Sequence, residues 1–424
     1  MKFALACYGS RGDVEPCVAV GRELLRRGHD VRMAVPPDLV RLAEAAGPAA
    51  VAFGPKVQPI LDAHRDFWAC FFGSFWRIQD LIRLRRQVAE PVIERKDEIC
   101  ATLMSLADGA DLLLTGLNFE QPAANVAEYY GIPLATLHVF PHRANGQFLR
   151  FLPAPVSRAA MTAYEWMAWR AAKKLEDAQR RELGLPKATV PLPRRLTERG
   201  SLEIQAYDEV CFPGLAAEWA QRDGLRLSRP FVGALALELL TDSDQEVASW
   251  IAAGKPPIFF GFGSIPVESP ADTLAMISEA CAHLGERALI CSAGTDFSSV
   301  PHVEHVKVVG TMNYAEAFPA CRAVVHHGGV GTTAASLRAG VPTLILSTDI
   351  DQTLWGARVK RLKVGTARRF STATRESLVA DLRTILAPEY KIRAREVAAQ
   401  MTKPAVSVAA AADLVEDFAR LSPR

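Results

Sequence analysis

Three stretches of this chain carry residue types and spacings suited to chemistry. The densest is His326-His327-Gly328-Gly329-Val330-Gly331-Thr332-Thr333, directly after the apolar run Ala323-Val324-Val325. The glycines let an anion approach the backbone, the threonine hydroxyls are donors, and an imidazole that is protonated or carries an N–H can touch a phosphate oxygen. A helical pattern opens at Ala334, and the first N–H groups of a helix have no internal partner and sit at the positive end of its dipole. His327, Gly328, Gly329, Gly331 and Thr332 therefore form a candidate site for a phosphate or diphosphate. The plain alternative is a glycine-rich turn with buried histidines. No Gly-Lys-Ser/Thr is present for a P-loop, and no Gly-x-Gly-x-x-Gly with a matched acid occurs at this turn.

The second stretch is Asp349-Ile350-Asp351-Gln352. A carboxylate beside an amide, as at Asp351 and Gln352, suits a pair of vicinal hydroxyls such as a sugar carries, because one accepts and the other both donates and accepts. A helix cap is the structural alternative. The third is Gly9-Ser10-Arg11-Gly12-Asp13-Val14-Glu15-Pro16, in which Asp13, with Glu15 and Pro16 in the next turn, reads as a helix N-cap. Two glycines and no acid closing the next strand give little support to a dinucleotide site there.

The elements that must position these groups repeat one pattern. Phe3–Cys7, a loop, a helix from Glu15 to Arg27 and a strand Val31–Val35 make a βαβ unit, and 323–346 make another, so each loop lies at the carboxyl end of a parallel strand. Further strands are expected at Asp111–Thr115, Pro133–Val139, Ile204–Phe212, Phe231–Gly233, Pro257–Phe262, Ala288–Ser292 and Val306–Val309. The fold class is α/β with two Rossmann-like domains, 1–216 and 230–404, joined by a crossing at 217–229.

Between 67 and 76 six aromatics fall in ten positions. Phe67, Phe71, Phe72 and Phe75 read either as core of a helix pair or as an apolar wall for a lipid-like ligand. His138 and His142, at a strand end, line the same cleft or serve structure. Met161–Leu183 is an amphipathic helix with a basic cluster at Arg170, Lys173, Lys174, Arg180 and Arg181; the polar face reads as solvated, with a peripheral membrane contact as the alternative.

A length of 424 residues suits two domains, and 49 Lys plus Arg against 47 Asp plus Glu argues against a nucleic-acid-binding protein. Eight scattered cysteines without a Cys-x-x-Cys pair read as buried thiols rather than metal ligands or disulfides. No charged-then-apolar leader and no apolar run of membrane-spanning length is present, so a cytoplasmic location is expected, with the inner face of the membrane as the alternative.

His326-His327-Gly328-Gly329-Val330-Gly331-Thr332-Thr333, with Arg338-Ala339-Gly340-Val341-Pro342 and Asp351-Gln352, resembles the donor signature of nucleotide-sugar glycosyltransferases of the two-domain GT-B fold. The similarity is to actinobacterial glycopeptide-antibiotic and sterol enzymes. The opening strand, the 9–16 loop and Val35-Pro36-Pro37-Asp38-Leu39 look most like the mycobacterial glycopeptidolipid enzymes. The resemblance implies an inverting transfer of a hexose or deoxyhexose, such as rhamnose from a dTDP- or UDP-sugar, to a hydroxyl of a hydrophobic acceptor such as a glycopeptidolipid, in a cleft between the domains. It makes Asp13 the catalytic base, places Ser10, Arg11, Gly12 and the Ser264 hydroxyl on the donor side, and puts Met312 against the nucleobase. It implies no metal and no cofactor beyond the nucleotide sugar, and it returns the last helix, 405–424, to the first domain. A sugar-nucleotide epimerase of the same fold and a non-catalytic binding protein are the alternatives.

Overall fold

Alternating apolar runs and helical periodicities assemble into two parallel sheets, each with helices on its faces. The computed structural model describes residues 1–74, 76–148, 152–223, 229–263, 269–292 and 303–421, without the side chains at 69, 71–74, 78, 222 and 223. Ser264 and Phe75, and the side chains of Phe71 and Phe72, lie outside the described residues.

The first sheet holds β1 (Lys2–Ala6), β2 (Asp30–Val35), β3 (Ala49–Ala52), β4 (Leu112–Gly116), β5 (Leu134–His138) and β6 (Leu202–Gln205). Its order is β3-β2-β1-β4-β5-β6, with Phe3 opposite both Val31 and Leu112. The second holds β7 (Ile258–Gly261), β8 (Ala288–Cys291), β9 (Val306–Val309), β10 (Ala323–His326), β11 (Thr343–Ser347) and β12 (Gly365–Arg369), in the order β12-β11-β10-β7-β8-β9. The central strands β7 and β10 are buried along their whole length, and β1 and β4 at all but Lys2 and Gly116, as parallel strands covered on both faces should be. Alternation still sorts the side chains: Ile258 and Phe260 join one core cluster of the second sheet, Phe259 the other.

The order reverses direction between β1 and β4 in one sheet and between β7 and β10 in the other. Two loops diverge at each such point, leaving a crevice at the carboxyl ends of the strands. The loops after β1 and β10 are the glycine-rich stretches singled out from sequence.

Chain packing divides into two units, one of Met1–Val57, Pro91–Leu237 and Thr402–Arg424, the other of Gln58–Glu90 and Glu238–Met401. The first unit thus runs past the boundary read at 216. Between Arg229 and Leu237 the first sheet gains no full strand; Phe231 makes a single bridge to Gln205, and Val232 N–H bonds the Gln205 carbonyl at 3.1 Å. Ala234 N–H then donates to Asp208 Oδ2 at 3.1 Å and Leu237 N–H to Glu15 Oε1 at 3.1 Å. The final helix, Pro404–Leu421, is held to the same unit by Arg27, which pairs with Asp413 at 2.6 Å and Glu416 at 3.1 Å. The segment Gln58–Glu90, read as part of the first domain, belongs to the second unit.

The helix after β1 begins at Arg11, four residues ahead of the expected start. Ser10, in extended backbone, is its cap, and Pro16 lies inside it. The region 375–401 is two helices, Arg375–Ile385 and Pro388–Ala398, because Pro388 opens the second. All eight cysteines are free thiols. Among the described residues no helix is long and apolar enough to cross a membrane.

Candidate active site

In the second unit, β10 ends in His326 and the chain turns through His327, Gly328 and Gly329 into the helix Val330–Arg338. His326 is fully enclosed, and its Nδ1 accepts the Gly328 N–H at 3.0 Å, which fixes the turn and leaves the ring proton on Nε2. His327 is half-buried between two glycines. A Cβ on Gly263, in the loop after β7, would lie 2.5 Å from its Cε1, and one on Gly329 would lie 2.5 Å from its Nε2. The imidazole therefore fills the crevice where the strand order reverses, its Nε2 directed at the head of the helix. Burial lowers it to about 4, the Gly261 carbonyl working the other way, so at neutral pH the imidazole is uncharged.

Gly328 and Gly331 differ sharply. Gly328 has φ +101°, and a Cβ there would come within 2.8 Å of Ile345 Cγ2; around Gly331 nothing lies within 4 Å. Packing requires the first glycine and leaves the second exposed on the opening turn. Gly328→Ala is expected to cost about 1–3 kcal/mol and Gly331→Ala to leave stability unchanged, as paired urea melts would show. Thr332 is half-exposed, whereas the Thr333 hydroxyl is buried and donates to the Gly329 carbonyl at 2.9 Å.

After β11, the helix Ile350–Leu362 is capped by Asp349, whose Oδ1 accepts the Gln352 N–H at 2.8 Å. Gln352 is buried, and its amide is committed: Nε2 donates to Asp349 Oδ2 at 2.7 Å, and Oε1 accepts Thr348 N–H at 2.8 Å and its hydroxyl at 3.0 Å. The expected hydroxyl contact of Gln352 is thus taken by a local network, and Asp351 alone of the pair is open. Although the residue is exposed, the dense surroundings of its carboxyl, with Asp349 adding to them, raise Asp351 to about 6, and His64 opposes the rise. His64, in the helix Val57–Ser74, accepts Trp68 Nε1–H at 3.0 Å. Nothing in the local sequence marked it, since its partner lies far along the chain.

Met312 belongs to the core cluster with Val309, Val324 and Phe318, so its side chain is structural and only backbone is left for a base contact. Its loop is tied by Asn313 N–H to Asp244 Oδ1 at 2.7 Å.

In the first unit, Asp13 occupies the third position of its helix, not the cap itself. Its Oδ2 accepts both the Ser10 N–H and the Ser10 hydroxyl at 2.8 Å. Gly9, with φ +131°, is required there, because a Cβ would lie 2.4 Å from Asp13 Oδ2 and 2.6 Å from Asn118 Nδ2. Asn118, beyond β4, donates to the Tyr8 carbonyl at 2.8 Å and so stands beside Asp13, at the reversal of the strand order. Arg11 points away along the helix to Glu15 at 2.8 Å, and Gly12 is half-exposed behind it.

His138 is not on an open surface. It is fully buried, within hydrogen-bond distance of Glu120, Thr136 and Gln205, in a cluster where Arg143 bonds Glu120 at 2.6 Å and Glu203 at 2.5 Å. Glu120, His138 and Glu203 lie close enough to hold a cation, but the Arg143 guanidinium already supplies the positive charge. An acceptor contact through His138 is unavailable for that reason. His142 keeps an open edge, although dense surroundings and Arg143 lower it to about 4. Phe67 is half-buried and edge-on to Trp68 at 5.0 Å. Arg180, grouped by sequence with the solvated cations, is turned inward onto Glu128 at 2.8 Å.

Residues 3–149 match the glycosyltransferase family 28 N-terminal domain, and residues 265–421 match the C-terminal domain of the erythromycin biosynthesis protein CIII-like family. Uncharacterized glycosyltransferase Rv1524 of Mycobacterium tuberculosis is 60% identical over 99% of each chain. This chain belongs to the same glycosyltransferase family. Glycosyltransferase GtfE of Amycolatopsis orientalis is 31% identical, covering 98% of this chain and 97% of its own. The crystal structure of glycosyltransferase VinC in complex with dTDP superposes with a TM-score of 0.66 at 18% identity, over 99% of this chain and 100% of that one. As a GT-B glycosyltransferase, the protein has its donor-type turn and its Asp13 loop each at the crevice of a sheet, where α/β proteins bind ligands.

Proposed function

We propose that this glycosyltransferase is an inverting, metal-independent enzyme that moves a hexose or deoxyhexose from a nucleoside diphosphate to a hydroxyl of an apolar acceptor. The acceptor oxygen forms a bond to the anomeric carbon from the face opposite the diphosphate. The carbon–oxygen bond to the diphosphate breaks with its electron pair, and the acceptor's proton passes to the Asp13 carboxylate. The observation that carries this reading is the His327 imidazole lodged between Gly263 and Gly329 with its Nε2 at the head of a helix.

A neutral imidazole N–H, the unpaired amides of that first turn and the Thr332 hydroxyl form a fixed set of donors for a departing diphosphate. Such a set disperses the developing charge without a cation. The dTDP found with VinC supports a thymidine diphosphate donor, of which dTDP-rhamnose is the favoured example. Asp351, open while Gln352 is bound up, is the side chain assigned to the sugar's hydroxyls. The resemblance of the 326–333 motif and the opening loop to glycopeptide-antibiotic and glycopeptidolipid enzymes is the ground for a lipid- or peptide-linked acceptor.

A thermal-shift screen of nucleotide sugars tests the donor half. The matching donor is expected to raise the melting midpoint of the wild type, since a ligand bound only to the folded state stabilises it. In Gly331→Ala, whose new methyl stands over the opening turn, the rise should shrink while the unliganded midpoint stays put. An undiminished rise would place the diphosphate elsewhere, and consumption of the donor without any acceptor would favour an epimerase.

A further inference from the structure

The helix Ala154–Glu182 has 29 residues and spans roughly 44 Å. It rests on its unit through one face only, where Ser157, Met161, Glu176 and Arg180 are buried. Along the opposite face Val156, Ala163, Met167, Arg170 and Lys174 recur at spacings of seven, four, three and four, a single outward stripe, with Trp166 beside it. Met167 is 63% exposed and Trp166 39%. Apolar side chains of this size on an open helix face call for a partner.

The charges on that face indicate which partner. Arg170 and Lys174 have no carboxylate within ion-pair distance among the described residues. Every acid of the helix is otherwise committed: Glu165 accepts the Ala144 N–H at 3.1 Å and Glu176 holds Arg195 at 2.5 Å. Asp177 meets Lys173 at 3.1 Å, and Glu182 faces Lys96 at 4.0 Å. The stripe thus presents apolar and aromatic side chains followed by uncompensated cations, and no anion. That is the pattern of a helix lying in the headgroup layer of an anionic bilayer.

We propose that the outward face of the helix Ala154–Glu182 docks this protein on an anionic membrane surface. Val156, Trp166 and Met167 enter the boundary between headgroups and acyl chains, and Arg170 and Lys174 meet lipid phosphates. The inference concerns binding alone and stands whether or not the sugar-transfer reading holds.

The test is co-sedimentation of the full chain with vesicles of phosphatidylcholine containing phosphatidylglycerol, and with vesicles of phosphatidylcholine alone. The wild type is expected to sediment with the mixed vesicles and to be released by salt. Arg170→Gln with Lys174→Gln should weaken binding on the order of tenfold. Trp166→Ser with Met167→Ser should do so as well, both variants keeping the wild-type melting midpoint. Failure to sediment, equal binding to neutral vesicles, or double variants that bind like the wild type would each overturn the proposal. A nucleotide-sugar thermal shift on the same samples reports separately on the donor site.

Discussion

Asp13→Asn is expected to lower sugar transfer by about 10²- to 10⁴-fold, the range over which a general base usually contributes, with folding and donor binding intact. The reason the fold survives is local. Asp13 holds the helix start by accepting the Ser10 N–H and the Ser10 hydroxyl on one oxygen, Oδ2. An asparagine carbonyl can accept the same two bonds from Ser10, so the tie that holds the helix start is kept. What it lacks is the capacity to take a proton from an alcohol at neutral pH. Initial rates with a matched donor and acceptor, beside thermal melts of both proteins, separate the two roles. A variant that turns over like the wild type would reduce Asp13 to a residue that ties down the Ser10 cap, whereas Asp13→Ala should lose that tie too and melt earlier.

The largest effect on stability is expected at Arg143. Its guanidinium is buried and joins Glu120 at 2.6 Å to Glu203 at 2.5 Å. Arg143→Ala leaves two buried carboxylates without it, although Arg229 still reaches Glu203 at 2.6 Å. Removing one partner of a buried ion pair costs about 3–5 kcal/mol, so the urea midpoint should fall markedly. The pH dependence follows from Glu120. Burial alone would raise its carboxyl, but Arg143 and His138 outweigh burial and hold it at about 2, below its ordinary 4.5. A folded-state value lower than the unfolded one stabilises the protein above the unfolded value and ceases to do so as pH falls from there toward about 2. The gap between wild type and Arg143→Ala should therefore be full at neutral pH and narrow as the solution is acidified between those limits. A gap that stays constant through that window would mean the cluster contributes through packing rather than charge.

Much of this was legible in the chain itself. Apolar runs alternating with helical periods announced parallel strands and crossover helices, because a parallel strand covered on both faces has to be apolar throughout. The glycine-rich turn at 326–333 was legible for a related reason: only glycine tolerates the φ of +101° at Gly328, and only a missing side chain at Gly329 leaves room for the His327 ring. Local chemistry of this kind is written in neighbouring residues.

The misreadings share an origin. Asp351 and Gln352 looked alike as polar neighbours, yet one turn of helix exposes the first and folds the second back onto Thr348 and Asp349. His138 looked like a residue at an open strand end until Glu120, 18 positions earlier, and Glu203 closed over it through Arg143. Arg180 looked solvated until Glu128, on another helix, took it inward.

The sequence by itself determined the fold class, the position of the glycine-rich turn after β10 and the glycosyltransferase family, because these depend on residue type at short spacing. Only the tertiary structure decided which polar groups remain available for chemistry. A side chain's hydrogen-bonding capacity is fixed by its covalent structure, but whether that capacity is still unspent depends on partners from distant parts of the chain. The surroundings then shift the charge state: the His327 ring is held uncharged at neutral pH, and the Asp351 carboxyl is raised to about 6, because of what packs around them.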